Sequence, residues 1–142
     1  MVQALKRRAD WHARLHAEIE AHRREAFAWG RRDCALGLAA GAVEAITGAD
    51  LRKGWRGTYR TAAGAMKALR KAGYASLGDA VAAVLPECHP CMAMDGDIAL
   101  LDEGEIGALG IFNGGTLIVL GLDGIGPRER AAAMRAFEVG AR

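Results

Sequence analysis

No run of apolar residues in this sequence approaches the roughly 20 that a helix needs to cross a bilayer, and the charged N-terminus is not followed by the apolar core of an export signal. A soluble, unexported chain without a membrane span is the expectation. Cysteine and proline are both scarce, three of each among 142 residues, which excludes a disulfide-stapled scaffold. No staple is needed, because a single domain of this length buries roughly two thirds of the surface that its unfolded chain exposes. Bulky side chains are few as well: 30 residues are alanine and 19 are glycine, although the composition as a whole remains globular. A marked excess of one charge is also missing, with 19 Lys and Arg against 17 Asp and Glu. Duplex-binding modules tend to be basic overall and to carry a recognisable motif, so no nucleic-acid partner is expected.

The near balance of charge hides a division along the chain. Residues 1–72 carry 15 basic against 7 acidic side chains and residues 73–142 carry 4 against 10, giving +8 and −6. Such a split suits attraction between two lobes, or opposite faces offered to neighbouring subunits. Hydrophobic periodicity follows a similar division. From Leu5 to Ala28 no Pro or Gly interrupts, and Trp11, Leu15, Ile19, His22 and Ala26 recur at three- and four-residue steps, which predicts a helix. Asp33 is placed to cap a second helix over 34–47, closed by Gly48, and its small, apolar content makes it the expected central helix. Thr61 caps a third helix that ends near Gly73, and Ser76 opens a fourth that ends at Pro86. Beyond a loop over 87–96 the pattern turns to short strands at 97–101, 108–112 and 116–120, the last two joined by an Asn113-Gly114-Gly115 turn. Pro127 is expected to start a short helix through Met134, and 135–139 to return as a strand. Helices first and strands after define an α+β domain over 1–142, with a small antiparallel sheet packed on the central helix.

Cys34 is the first candidate for chemistry. It follows the capping Asp33, and free amides together with the helix macrodipole at such a position stabilise a thiolate, the activation that a cysteine nucleophile needs. Core packing is the alternative role for a cysteine in so apolar a helix. Among the histidines the reserve candidate for a base is His89, in the loop before the first strand. His22 falls on the apolar stripe of the first helix as a packing residue, and His12 and His16 are expected in solvent. Cys88, His89 and Cys91 invite a metal reading, but a structural zinc wants four ligands and a second cysteine pair is missing. No metal and no cofactor is therefore expected. The glycine-rich segments 104–110 and 121–126 read as turns, since neither is followed by the lysine and helix of a phosphate-binding loop. Trp55, Arg56, Tyr59 and Arg60 form an aromatic and basic cluster expected to clamp its connection against the central helix.

The run from Phe27 to Leu36, in which Asp33-Cys34 opens a helix, is followed by Gly96-Asp97-Ile98-Ala99-Leu100 and by Gly107-Ala108-Leu109-Gly110-Ile111-Phe112. In this order the segments resemble the skeleton of the NlpC-type papain-fold cysteine peptidases. In that family an Asp-Cys pair starts the central helix, a Gly-Asp precedes the first sheet strand, and a Gly-His-Val-Gly-Ile-like strand supplies the base. Residues 29–34 and 55–61 are more similar to a small family encoded among the tail genes of bacteriophages, prophages and gene-transfer agents. The resemblance implies a papain-like fold with Cys34 in the nucleophile's place. Where the peptidases carry their histidine this chain has Ala108, which can neither accept the thiol proton nor pair with a thiolate. The function so implied is a tail-associated, tail-tip protein with a degenerate peptidase-like site and other phage tail proteins as partners. Such a chain is expected in the bacterial cytoplasm when expressed and in the virion tail once assembled. The alternative is an active cysteine amidohydrolase that cleaves cell-wall peptides, with Cys34 as nucleophile and His89 as the reserve base.

Overall fold

In the computed structural model, which describes residues 4–141, the two halves of the sequence become a helical layer and a six-stranded antiparallel sheet, an α+β arrangement. The helices are α1 (Trp11–His22), α2 (Ala40–Thr47), α3 (Ala62–Lys71) and α4 (Leu77–Ala82). The strands are β1 (Glu87–Cys88), β2 (Ile98–Leu101), β3 (Ala108–Asn113), β4 (Thr116–Gly121), β5 (Gly124–Glu129) and β6 (Ala133–Phe137), lying in the order β1-β6-β2-β3-β4-β5. The residues on both faces of β2, β3 and β4 are largely buried. Leu38, Val43 and Ile46 of the central helix join Ile98, Ile111, Phe112 and Phe137 in one apolar cluster.

Caps fall where the sequence offers a hydroxyl. Thr61 and Ser76 accept from the amides of Gly64 and Asp79 and so start α3 and α4. The central helix differs from its expected form at its beginning: Cys34–Ala39 is π-helical and passes into α2 only at Ala40. The Leu38 amide bonds to the Asp33 carbonyl five residues back, at 3.1 Å, which widens the first turn. Close packing of α1 on this helix uses Gly41, where a Cβ would collide with the Glu18 carboxylate.

The first helix is shorter than its periodicity predicts. It covers Trp11–His22 instead of 5–28, because the preceding residues form an irregular strap that ends in a turn. Within the strap the Arg8 amide donates to the Ile46 carbonyl (2.8 Å), and the Leu5 carbonyl accepts from the Ala141 amide (2.8 Å). Tertiary bonds override the favourable helix propensity of Leu5-Lys6-Arg7-Arg8-Ala9 here. After His22 the chain turns, and Ala28 pairs with Arg32 around Gly30, whose φ of 80° is open to glycine at little cost.

A second correction concerns Pro127. It starts no α-helix but lies in β5 opposite Ile118, and only Arg130–Ala132 makes a 3-10 turn before β6. An edge strand tolerates proline because one side of it has no ladder to complete, and the missing donor blunts the edge. The final strand runs over Ala133–Phe137 and stops short of Val139, and the expected loop over 87–96 contains β1 and a 3-10 turn at Pro90–Met92. The other three strands agree with the sequence pattern to within one residue at each end.

Candidate functional site

The start of the central helix is organised by Asp33, which is 1% exposed. Its Oδ1 accepts from the amides of Ala35 (3.0 Å) and Leu36 (2.7 Å), and its Oδ2 accepts from the Gly30 amide (2.9 Å) and the Tyr59 hydroxyl (2.6 Å). The residue therefore caps the helix and also ties to it the turn before and the connection after. Burial, then the adjacent Asp33 charge, push the Tyr59 phenol far above its ordinary range, so Tyr59 acts as a fixed donor. Trp55 and Tyr59 turn inward while Arg56 and Arg60 stay exposed. The aromatic half of the expected clamp is thus in place, with an anchor, Asp33, that the sequence did not reveal.

Cys34 is 7% exposed and belongs to the apolar core. Burial pushes its thiol up to about 12; the Leu109 amide, which faces the sulfur, pulls the other way, and the Asp33 charge adds to the rise. The activation expected from a helix start does not win. The amides of Ala35 and Leu36, which would stabilise a thiolate, already donate to Asp33, and desolvation disfavours the charged sulfur. Glu103, on the loop after β2, contributes a further negative charge that raises the thiol. Ala108, to which the peptidase resemblance assigns the place of the base, is buried at the start of β3 and paired with Leu101.

The structure does not bring His89 to Cys34. His89 is exposed just after β1, three strand positions from β3 or roughly 14 Å across the sheet. Its Nδ1 accepts from the Cys91 amide at 3.0 Å and so caps the 3-10 turn. His22 is buried and shares a 2.6 Å hydrogen bond with Glu18, while His12, stacked on Trp11, and His16 are exposed. Cys88 is half-buried on β1 and Cys91 is exposed. Among the described residues no group of three or more His, Cys, Asp or Glu side chains is arranged to hold a metal ion.

The other motif aspartate, Asp97, is fully buried before β2. Oδ1 accepts from the Val139 amide (3.0 Å) and from the Arg7 guanidinium (3.0 Å), and Oδ2 accepts from the Met94 amide (2.8 Å). Arg7 also donates to the carbonyls of Val139 (2.8 Å) and Asp95 (2.7 Å) and lies over the Trp11 ring. Arg7 gave no sign of this in the sequence, where it falls among the residues expected to begin the first helix.

Beside Cys34 the helical layer leaves a cleft of about 130 Å³, bounded by Trp29, Leu51, Trp55, Tyr59, Tyr74 and Leu109 among others. Its lining is largely apolar, and its polar groups include the buried Cys34 thiol, the Asp33 carboxylate with its bond from the Tyr59 hydroxyl, and Tyr74. It can receive an apolar group, and among the described residues no histidine lines it.

These features define an α+β domain in which two buried aspartates fasten the starts of the central helix and of the sheet, with an un-ionised thiol between helix and β3. The chain belongs to the family described as a domain of unknown function, DUF6950, which matches residues 6–139. No curated protein matches the chain. Among the described residues no helix is long and apolar enough to cross a membrane.

Proposed function

We propose that this chain is a tail-associated protein of a bacteriophage, prophage or gene-transfer agent, acting at the tail tip in a structural or assembly role on a papain-like, NlpC-type fold whose peptidase site is degenerate. The observation that carries the reading is the state of Cys34. Its thiol is buried and pushed up to about 12, so it stays protonated at neutral pH, and alanine stands where the base belongs. The order of a cysteine-bearing helix, a Gly-Asp before β2 and β3 against the sulfur supports the choice of fold. Retention of a fold after loss of its chemistry is physically ordinary, because the residues that hold the site together also hold the domain together.

The apolar cleft beside Cys34 is the one feature that favours the other reading, a cysteine amidohydrolase acting on cell-wall peptides. The two are separated by tagging the chain in its natural host, fractionating released particles, and assaying the purified protein on cell-wall peptides. Co-sedimentation with tails and no peptide release is the expected result. Release that is abolished by Cys34→Ala would replace the structural reading with the enzymatic one, and absence from particles would remove the tail assignment.

A further inference from the structure

The connection between β2 and β3, residues 102–107, borders the cleft beside Cys34. Ile106 is half-buried and lines that cleft together with Cys34 and Leu109, the residue whose amide faces the sulfur. Glu103 lies close enough for its charge to act on the thiol. The segment therefore forms part of the enclosure of Cys34, alongside the central helix and β3.

Little fastens this segment. Among the described residues, 102–107 take part in no backbone hydrogen bond outside the strand ladder. Gly104 and Gly107 have φ of 72° and 85°, a region that glycine enters at little cost. The side-chain tie is the 2.7 Å pair between Glu103 and Arg128 of the edge strand β5, in which both side chains are more than a third exposed. The second carboxylate oxygen of Glu103, Oε2, is buried without a hydrogen-bond partner, which disfavours the closed arrangement. Closure thus rests on the burial of Ile106 and one exposed ion pair, against an unsatisfied oxygen. The β3–β4 turn at the other end of the sheet differs: the Asn113–Thr116 pair closes it, and the Gly114 amide donates to Asp95.

We propose that residues 102–107 form a lid that opens about Gly104 and Gly107 while the rest of the domain stays folded, and that this opening exposes Cys34 and the cleft to water. Segments with few buried contacts and few fixed hydrogen bonds open at lower free energy than the core. The inference goes beyond the tail assignment and is tested on the purified protein alone, so either can fail without the other.

Alkylation of the native protein by iodoacetamide, with the peptide that carries Cys34 quantified by mass spectrometry, reads the opening separately from Cys88 and Cys91. Below the unfolding transition the wild-type rate at Cys34 is expected to be nearly independent of urea, because lid opening exposes little surface. Ile106→Ala removes the apolar anchor and is expected to raise the rate roughly tenfold. Arg128→Gln breaks the ion pair and should raise it about two- to fivefold. Gly104→Ala meets no neighbouring atom, so it acts through backbone strain alone and should raise the rate roughly fivefold. Gly115→Ala imposes the same kind of strain on the β3–β4 turn, also in open space, and is expected to leave the rate at Cys34 unchanged. Urea melts confirm that each variant is folded, and Gly104→Ala, at an exposed position, carries the test if Ile106→Ala is not. A wild-type rate that follows global unfolding at every urea concentration overturns the proposal. So does a folded Ile106→Ala or Gly104→Ala that labels no faster than wild type, or equal acceleration by Gly115→Ala.

Discussion

Asp33 and Asp97 are both buried carboxylates placed just before an element, the first ahead of the central helix and the second ahead of β2, yet they are neutralised differently. Asp33 accepts from three amides and a phenol, all uncharged. Asp97 accepts from two amides and the guanidinium of Arg7, whose side chain is itself only 10% exposed. Desolvating a carboxylate costs several kcal/mol, and the helix start offsets this with oriented donors and the positive end of its dipole. The sheet start has no such dipole and uses a cation. The two aspartates are also the acidic members of the Asp-Cys and Gly-Asp motifs. What resembles a peptidase's skeleton is, in this chain, the pair of fastenings that hold helix and sheet in register with the strap and the 51–60 connection.

That contrast predicts unequal costs on truncation. Asp97→Ala removes the carboxylate that the nearly buried Arg7 guanidinium and two amides donate to, and is expected to lower unfolding free energy by about 3–5 kcal/mol. Asp33→Ala strands only neutral donors and removes a cap, for about 2–4 kcal/mol. Urea unfolding of the two variants under one set of conditions measures the difference. Should Asp33→Ala prove the more costly, the cation at Asp97 is not what separates the sites. Tyr59→Phe keeps the ring and deletes one of the four donors to Asp33, with an expected loss of about 1 kcal/mol. Combining it with Asp33→Ala should give less than the sum of the two, because the hydroxyl loses its partner in either variant.

Much of this architecture is legible where local chemistry decides it. Thr61, Ser76 and Gly48 mark helix ends because their capping groups act within three or four residues, and the Asn113-Gly114-Gly115 turn sets the β3–β4 register by itself. Legibility fails where distant residues decide. The strap at residues 5–8 looks helical because its periodicity is sound, but bonds to Ile46 and Ala141 hold it against the fold outside any helix. Pro127 looks like a helix start because its fixed φ suits one, but pairing with β4 takes it into a strand. The candidate site divides in the same way. Asp33 as a cap is visible from its neighbours. Its bond to Tyr59, 26 residues away, and the Arg7–Asp97 pair, 90 residues apart, are not. The position of Cys34 at the first turn is visible from the Asp33 cap before it, while its ionisation depends on burial under β3 and cannot be read from the helix alone.

Cys34 gives the smallest effect and the sharpest sign. Cys34→Ala removes one buried sulfur and is expected to cost about 1 kcal/mol at neutral pH. The informative quantity is how that cost varies with pH. The folded thiol is pushed up to about 12, whereas a thiol in the unfolded chain titrates near ~8.5. The folded state therefore keeps a proton that the unfolded state releases. The resulting stabilisation is fully present below the unfolded value and is lost as pH rises from there toward 12. Wild type should consequently lose stability relative to Cys34→Ala across that alkaline window, with no difference in slope through the neutral range. Alkylation should agree, with the exposed Cys91 modified much faster than Cys34 in the native protein. An activated nucleophile gives the opposite sign: a depressed thiol stabilises the fold above the unfolded value, and that contribution disappears as pH falls through the folded one. The slope of stability against pH, taken as a difference between two chains that differ only at the sulfur, thus separates a packing residue from a catalytic one without any need to know the substrate.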